Sequence, residues 1–491
     1  MIATIHGAAN VFGVIFRVGG GRINAKAATV ASPERAPERS PAVRVASALG
    51  YAPSVFFRVE DRSSYVFIGV VHQCNRLVLA DTGLIIPFMP NYRRQGELPA
   101  KRHIRLAREK GKSFLGEGLA YEHIVTTAGF DRAYTILYHH RPPTRVKKVE
   151  LLPSTKNVAA GELPLRHHHI QSAKLPRHGD PVSGRVPILF NEDVCCWRCK
   201  PEKGQRELYR NGSADEVVFI HSGSGVVESA FGKLRYRAND YVVIPRTTIY
   251  RVVPDDVKQE DFMILECFSP VRVPARYQNE DGQMYLGSPY YERDFHSPQE
   301  PLFVDKEEET AVLTKDHDRW TRVVMAHHPF DVVGWDGFIY PYTFNALDFE
   351  PLTGTVHLPP PYQQTFECRG FVICTFAPRH LDHHPEAIKV PYVHSNVEAD
   401  EVLFYVLGHF GSRRGVERGS LTLHPGGIPH GPHPGTILAS MKSTRTEELA
   451  VMFDTEKRLN LTKQAVELDD PKYPMSWLDA DPSALDAPQP R

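Results

Sequence analysis

No sign of charge prevails in this sequence: 58 Lys and Arg face 58 Asp and Glu, so the formal net charge is zero. That balance excludes the one-signed electrostatic footprint expected of a nucleic-acid binder or of a protein drawn to an anionic membrane. No apolar run approaches the roughly 20 residues that a membrane helix needs, so the chain is expected to be soluble. Cysteine is scarce, with seven unevenly placed residues in 491. This excludes a disulfide framework and points to a reducing, cytoplasmic compartment. Cys196 and Cys199 form a lone CxxC beside Cys195; with no second pair at zinc-ligand spacing, they are expected to be small buried strand residues. What the chain has in quantity is 40 prolines and 35 glycines. Punctuation that dense, between short apolar stretches, predicts an all-β dominated body with few short helices.

The length allows two or three domains. Residues 1–88 differ from the rest. Arg17, Arg22, Lys26, Arg35, Arg39 and Arg44 stand there against only Glu34 and Glu38 within the first 50 positions, which reads as a disordered or non-native N-terminal extension. Met89 opens the first convincing domain, 89–280; residues 281–328 form a charged, Tyr-rich linker, 329–456 a second domain, and 457–491 an acidic, Pro-rich tail with little reason to pack. His167-His168-His169 cannot converge on one ion if extended, because neighbours on a strand point to opposite faces; a surface or interface element is expected.

The organising feature is a repeat. Ala-Asp-Glu-Val occurs at Ala214–Val217 and again at Ala399–Val402, and each copy runs through a Phe (Phe219, Phe404) to a Gly (Gly223, Gly408). A spacing of 185 positions suits a duplicated domain rather than a solenoid. Only the second copy sits among histidines. His394 lies seven residues before Glu401 and His430 lies on a later strand, where the first copy has Tyr209 and Tyr250. A neutral phenol is a poor ligand for a divalent ion, whereas two imidazoles and a carboxylate are a donor set for non-haem Fe(II) with open positions. Glu401 on an inward strand position would be costly unless paired or bound to metal. One half is therefore expected to hold a metal through His394, Glu401 and His430, and the other is not. The role of Glu216 is left open, between a buried hydrogen bond to one of the phenols and an interface ion pair.

The Glu-x6-Gly hairpin followed by a Pro shortly before a later ligand position resembles the cupins, whose jelly-roll barrels carry metal on inward strand residues; two units would make a duplicated cupin. The segment Pro429-His430-Gly431-Pro432, His424 six positions before His430, Gly408-His409 and the block Met89–Pro99 together resemble homogentisate 1,2-dioxygenase over roughly residues 89–456. That resemblance implies an Fe(II)-dependent extradiol-type dioxygenase of tyrosine and phenylalanine breakdown that opens homogentisate to maleylacetoacetate with O2. It implies a metal-free first barrel, an iron-bearing second barrel and a homo-oligomer, trimer or hexamer. It maps the iron ligands onto His394, Glu401 and His430, and the two active-site histidines onto His357, taken as the base for a phenolic proton, and His424, taken to orient the substrate carboxylate or the oxygenated intermediate. Tyr392, Asn396, His430, Phe410 and Arg413 are the expected substrate contacts, with Arg414 an alternative to Arg413. The chain departs from the animal enzymes by one extra residue between His394 and Glu401, by Phe410 where they carry Tyr and by Arg413 near where they carry Lys, as a divergent bacterial branch would. Alternatives are cleavage of another hydroquinone such as gentisate, a Zn or Mn cupin isomerase or hydrolase, and a storage-type bicupin without a site.

Overall fold

The computed structural model describes residues 91–107, 118–390, 392–408 and 415–478, and the backbone of 2–8, 11–18 and 21–24. The chain divides into two compact units, Met1–Ile85 and Ile86–Arg491. In the first, the strands Ile2–Ala8, Val11–Val18 and Gly21–Asn24 pair as an antiparallel sheet; the rest of the extension, residues 25–88, lies outside the described residues.

The second unit is built of β-strands joined by short loops, with two short α-helices, Pro434–Ser440 and Lys463–Glu467. Its architecture is a duplicated cupin. The first barrel has an eight-stranded sheet with Asp215–Ser222 between Asp240–Ile244 and Asp261–Cys267, and a seven-stranded sheet that holds Leu208–Asn211 and Tyr250–Pro254. In the second barrel a six-stranded sheet places Asp400–Leu407 between Leu421–His424 and Leu449–Thr455. Asp215–Ser222, Asp240–Ile244, Asp261–Cys267 and Asp400–Leu407 are rich in Val, Leu, Ile and Phe and buried on both faces, as barrel walls flanked by other layers require. One core cluster runs through both barrels and includes Phe219 and Phe404, whose ring centroids lie 6.2 Å apart.

The barrels exchange strands, so the expected divisions at 280 and 329 do not follow the pairing. Thr310–Asp316, in the expected linker, runs parallel to Leu208–Asn211, and Tyr342–Asn345 pairs with Asp240–Ile244 of the first barrel. In the opposite sense His168–Ile170 closes the edge of the second barrel's sheet against Leu421–His424. Unpaired sheet edges are a liability that such exchange removes. The tail also differs from expectation. Asn460–Leu461 pairs with Arg185–Phe190, the helix Lys463–Glu467 follows with Thr462 capping it, and Tyr473 is buried. No helix among the described residues is long and apolar enough to cross a membrane. Cys195, Cys196 and Cys199 are buried and free on the strand Val194–Cys199.

Candidate metal centre

The two halves of the repeat superpose in their strand pairing. Glu401 stands opposite His424 on one side and Asp454 on the other; Glu216 stands opposite Ile244 and Glu266. His394 and His430 form an isolated antiparallel bridge with both backbone hydrogen bonds at 2.8 Å, and Tyr209 pairs with Tyr250. The aspartates of the repeat explain its second letter. Asp400 accepts hydrogen bonds from the Gly426 and Leu459 N–H groups and from Arg458, and Asp215 likewise accepts from the Arg246 and Val271 N–H groups. Each thus pins neighbouring loops to the start of the strand that carries the glutamate. Gly431 is needed for close approach, because a Cβ there would stand 2.8 Å from the Cα of Val393 beside His394.

Among the described residues, His394, Glu401 and His430 are the group whose ligand atoms lie within 4.8 Å of one another. His394 Nε2 is 3.5 Å from Glu401 Oε2, and His430 Nε2 is 3.4 Å from Glu401 Oε1. His430 Nδ1 lies 3.0 Å from the carbonyl of Ile428, which places the proton on Nδ1 and leaves Nε2 with its lone pair, buried and without a hydrogen-bond partner. Burial alone would push the Glu401 carboxyl up, but the imidazoles of His394, His424 and His430 overcome it and hold the group well below the usual carboxylate range. Two imidazoles and a carboxylate with their ligand atoms this close at one point are a donor set that fits a divalent ion with open positions.

Around this trio the structure places further groups. His424 is fully buried, with Nδ1 2.8 Å from Glu401 Oε1 and Nε2 3.3 Å from the Tyr473 hydroxyl. The Asp454 carboxyl is raised well above its ordinary value, first by burial and then by the charge of Glu401. The three consecutive histidines are not a surface element. His167 packs against the rings of His424 and His430, His168 Nδ1 meets Asp469 at 2.7 Å, and His169 Nε2 meets Ser420 at 2.9 Å. Strand alternation sends their side chains to different partners, so they do not converge on an ion.

His357 sits at the other side. Its ring meets the Tyr392 ring at a centroid distance of 5.2 Å, and Tyr392 in turn lies 6.0 Å from His394. His357 Nδ1 is 3.8 Å from Asp382 Oδ2, an oxygen that is buried without a hydrogen-bond partner. Asn396 contributes its backbone carbonyl, which accepts from the Gly427 N–H at 2.6 Å and ties the two ligand loops together. Phe410, Arg413 and Arg414 lie outside the described residues. Reading the sequence missed His167, Asp382, Asp454 and Tyr473; Asp454 alone had a signal, since Glu266 occupies its register in the first barrel.

In the first barrel the corresponding space holds a side chain. The Arg185 guanidinium lies 2.5 Å from Glu216 and 2.9 Å from the Tyr250 hydroxyl. Tyr209, Tyr250 and Asn211 also donate to Glu216. Glu266 receives the Lys315 ammonium and the Trp197 indole N–H. The reading of Glu216 as a buried hydrogen-bonding partner of the phenols thus matches the geometry, with an internal ion pair added.

Known families match the chain in two adjoining stretches. The homogentisate 1,2-dioxygenase N-terminal family matches residues 194–346, and the C-terminal family of the same enzyme matches residues 344–481. A protein of Saccharolobus solfataricus provisionally named a dioxygenase is 39% identical over 389 residues, 79% of this chain and 98% of its own. Homogentisate 1,2-dioxygenases of Caenorhabditis elegans and Legionella pneumophila are 26% and 27% identical over 61% and 58% of this chain, and 69% and 70% of their own. A solved cupin 2 conserved barrel domain protein from Leptotrichia buccalis covers 62% of this chain and 100% of its own at 9% identity and a TM-score of 0.26; the fold assignment rests on the strand pairing above.

Proposed function

The chain belongs to the homogentisate 1,2-dioxygenase family and is a dioxygenase, and from that premise we propose that it opens homogentisate to maleylacetoacetate with O2 at an Fe(II) held by His394, Glu401 and His430. The observation that carries this reading is the convergence of His394, Glu401 and His430, with ligand atoms within 4.8 Å of one another, in the second barrel. Two neutral imidazoles and one carboxylate suit Fe(II) better than the four-coordinate closed sites of structural zinc. Iron bound there supplies the one-electron chemistry that a singlet ring and triplet dioxygen otherwise lack.

The protein's own groups then have definable work. A hydroquinone must give up a phenolic proton, and an imidazole that is neutral near pH 7 can take it. His357 is that base in this reading. Burial lowers its pKa from the ordinary 6.5, with Asp382 opposing and Arg379 adding to the effect. Asp382, facing Nδ1, favours the tautomer that leaves Nε2 free to accept, and Tyr392 fills the space between His357 and His394. Asn396 ties the ligand loops together through its carbonyl. His424, fully buried with its ring nitrogens against Glu401 and Tyr473, orients the carboxylate ligand instead of the substrate or oxygenated intermediate expected from the sequence. His430 borders the substrate, and Phe410 and Arg413 remain the proposed contacts to the ring and its carboxylate. A cytoplasmic homo-oligomer within tyrosine and phenylalanine catabolism completes the reading.

Protein loaded with Fe(II) under anaerobic conditions and then given homogentisate is expected to consume one O2 per substrate while the ultraviolet band of a ring-opened diketo acid grows. Absence of turnover with homogentisate but turnover with gentisate would reassign the substrate, and metal-dependent activity that survives strict anaerobiosis would replace the reaction class by isomerisation or hydrolysis. In the same assay kcat/KM should fall on the acid side as His357 protonates, with the limb below pH 6.5. The Asp382 charge raises the His357 pKa, so Asp382→Asn should move that limb to lower pH. A limb that stays in place would remove Asp382 from this role.

A further inference from the structure

We propose that Tyr473, in the C-terminal segment, is a positioning residue of the metal centre that acts through His424 to set the orientation of Glu401. The inference rests on the reading that His394, Glu401 and His430 hold a metal, and it adds a third member behind the carboxylate. A carboxylate that serves as a metal ligand can only accept hydrogen bonds. The His424 nitrogen 2.8 Å from Glu401 Oε1 is Nδ1, so Nδ1 carries the proton. A neutral imidazole protonated at Nδ1 presents a lone pair at Nε2, and the group facing that lone pair at 3.3 Å is the Tyr473 hydroxyl. The hydroxyl therefore donates to Nε2 and holds from behind the ring whose Nδ1–H donates to the metal-binding carboxylate. His424 and Tyr473 are both buried, at 0% and 1% exposure, so bulk water cannot substitute for the phenol.

The segment is built to deliver that one group. The 3-10 turn Tyr473–Met475 follows a helix whose Ala465 joins the common core, with Val466 and Leu468 packed against it. The Tyr473 ring lies 5.4 Å from His169 and 5.4 Å from Trp477. Without the hydroxyl, His424 keeps its proton on Nδ1 but loses the contact that holds the ring from the Nε2 side. A ring free to tilt no longer aims its Nδ1–H at one place, and Glu401 loses the orientation it shares with His394 and His430. Outer partners of metal ligands typically contribute 10–100-fold in metal affinity.

The test titrates the full-length apoprotein with Co(II), read by d–d absorption and by competition with a chelator. Tyr473→Phe keeps the ring and is expected to weaken Co(II) binding roughly 10–100-fold with an altered band envelope. Leu468→Ala, which loosens the same segment without touching the hydroxyl, is expected to lower Tm and leave Co(II) affinity unchanged. In a His424→Gln background, Tyr473→Phe should cause no additional loss, because the link it acts through is gone. Parent-like binding and spectrum in Tyr473→Phe, an equal loss in Leu468→Ala, or additive losses in the double variant would each overturn the proposal. A parent protein that does not bind Co(II) would instead refute the metal-site reading beneath it. The measurement uses no homogentisate, so failure of the substrate assignment leaves it untouched.

Discussion

Glu401→Gln is expected to lose its iron on gel filtration and to turn over at roughly 10³-fold below the parent, since a metal ion supplies several kcal/mol of charge stabilisation and each 1.4 kcal/mol is about a factor of ten. The substitution changes little else. The strand is held by backbone pairing of Glu401 with His424 and Asp454, and the glutamine carbonyl can still accept from His424 Nδ1. What disappears is the charge that makes a cation necessary among imidazole lone pairs, and a neutral amide is a weak donor to Fe(II). The measurement is iron per chain by elemental analysis beside oxygen uptake, with Tm as the check on folding. Full iron occupancy in Glu401→Gln would show that the ion sits elsewhere, and loss of iron with a collapsed Tm would make the carboxylate structural. In the first barrel Glu216→Gln should alter neither iron content nor the number of sites, because Arg185 already fills that position.

The repeat made the centre legible because strand period and register carry over from one copy to the other. The seven-residue step from His394 to Glu401 and from Tyr209 to Glu216 matched Tyr209 and Tyr250 to His394 and His430, and the strand pairing has the same form in both copies, His394 across from His430 and Tyr209 across from Tyr250. The asymmetry of the halves was readable for the same reason, since a phenol in place of an imidazole is a change of chemistry at a known position. The unreadable parts lie where contacts join distant stretches. Tyr473 is 49 positions from His424, and nothing local marks it, because an acidic, Pro-rich stretch has the composition of a disordered tail. The burial of His168 depends on Asp469, 301 positions away, and the exchange of Tyr342–Asn345 and His168–Ile170 between barrels depends on sheet edges that periodicity does not locate. Arg185 was hidden in another way: an arginine at the start of a strand reads as solvated, and only the fold shows it facing two buried carboxylates.

That arginine carries the largest stability prediction. Arg185→Met should destabilise the protein by roughly 3–5 kcal/mol in urea unfolding, the usual cost of leaving a buried charge without its partner. Glu216 and Glu266 are each 1% exposed in their side chains, and Lys315 compensates only the second at close range. Burial would raise the Glu216 carboxyl, yet the Arg185 charge and its hydrogen bonds, with those of Tyr250 and Asn211, bring it below the ordinary 4.5. A folded-state pKa that is depressed contributes stability above the unfolded value and loses it as pH falls through the folded one. In Arg185→Met the raising effect of burial is no longer opposed by that charge. The deficit should therefore be largest at alkaline pH, begin to shrink as pH falls through the variant's raised Glu216 pKa, and go on shrinking below about 4.5 as the parent's own depressed carboxyl protonates. Removing both charges in Arg185→Met with Glu216→Gln should recover much of the loss, because a buried pair replaced as a unit costs far less than one broken by half. A single variant that loses under 1 kcal/mol, or a double variant no more stable than the single, would mean that water reaches Glu216. Iron content is the decisive companion measurement. If Arg185 is an internal cation at a position equivalent to the metal of the second barrel, its loss should leave the His394, Glu401 and His430 centre filled while the first barrel, with only phenols to offer, gains no ion.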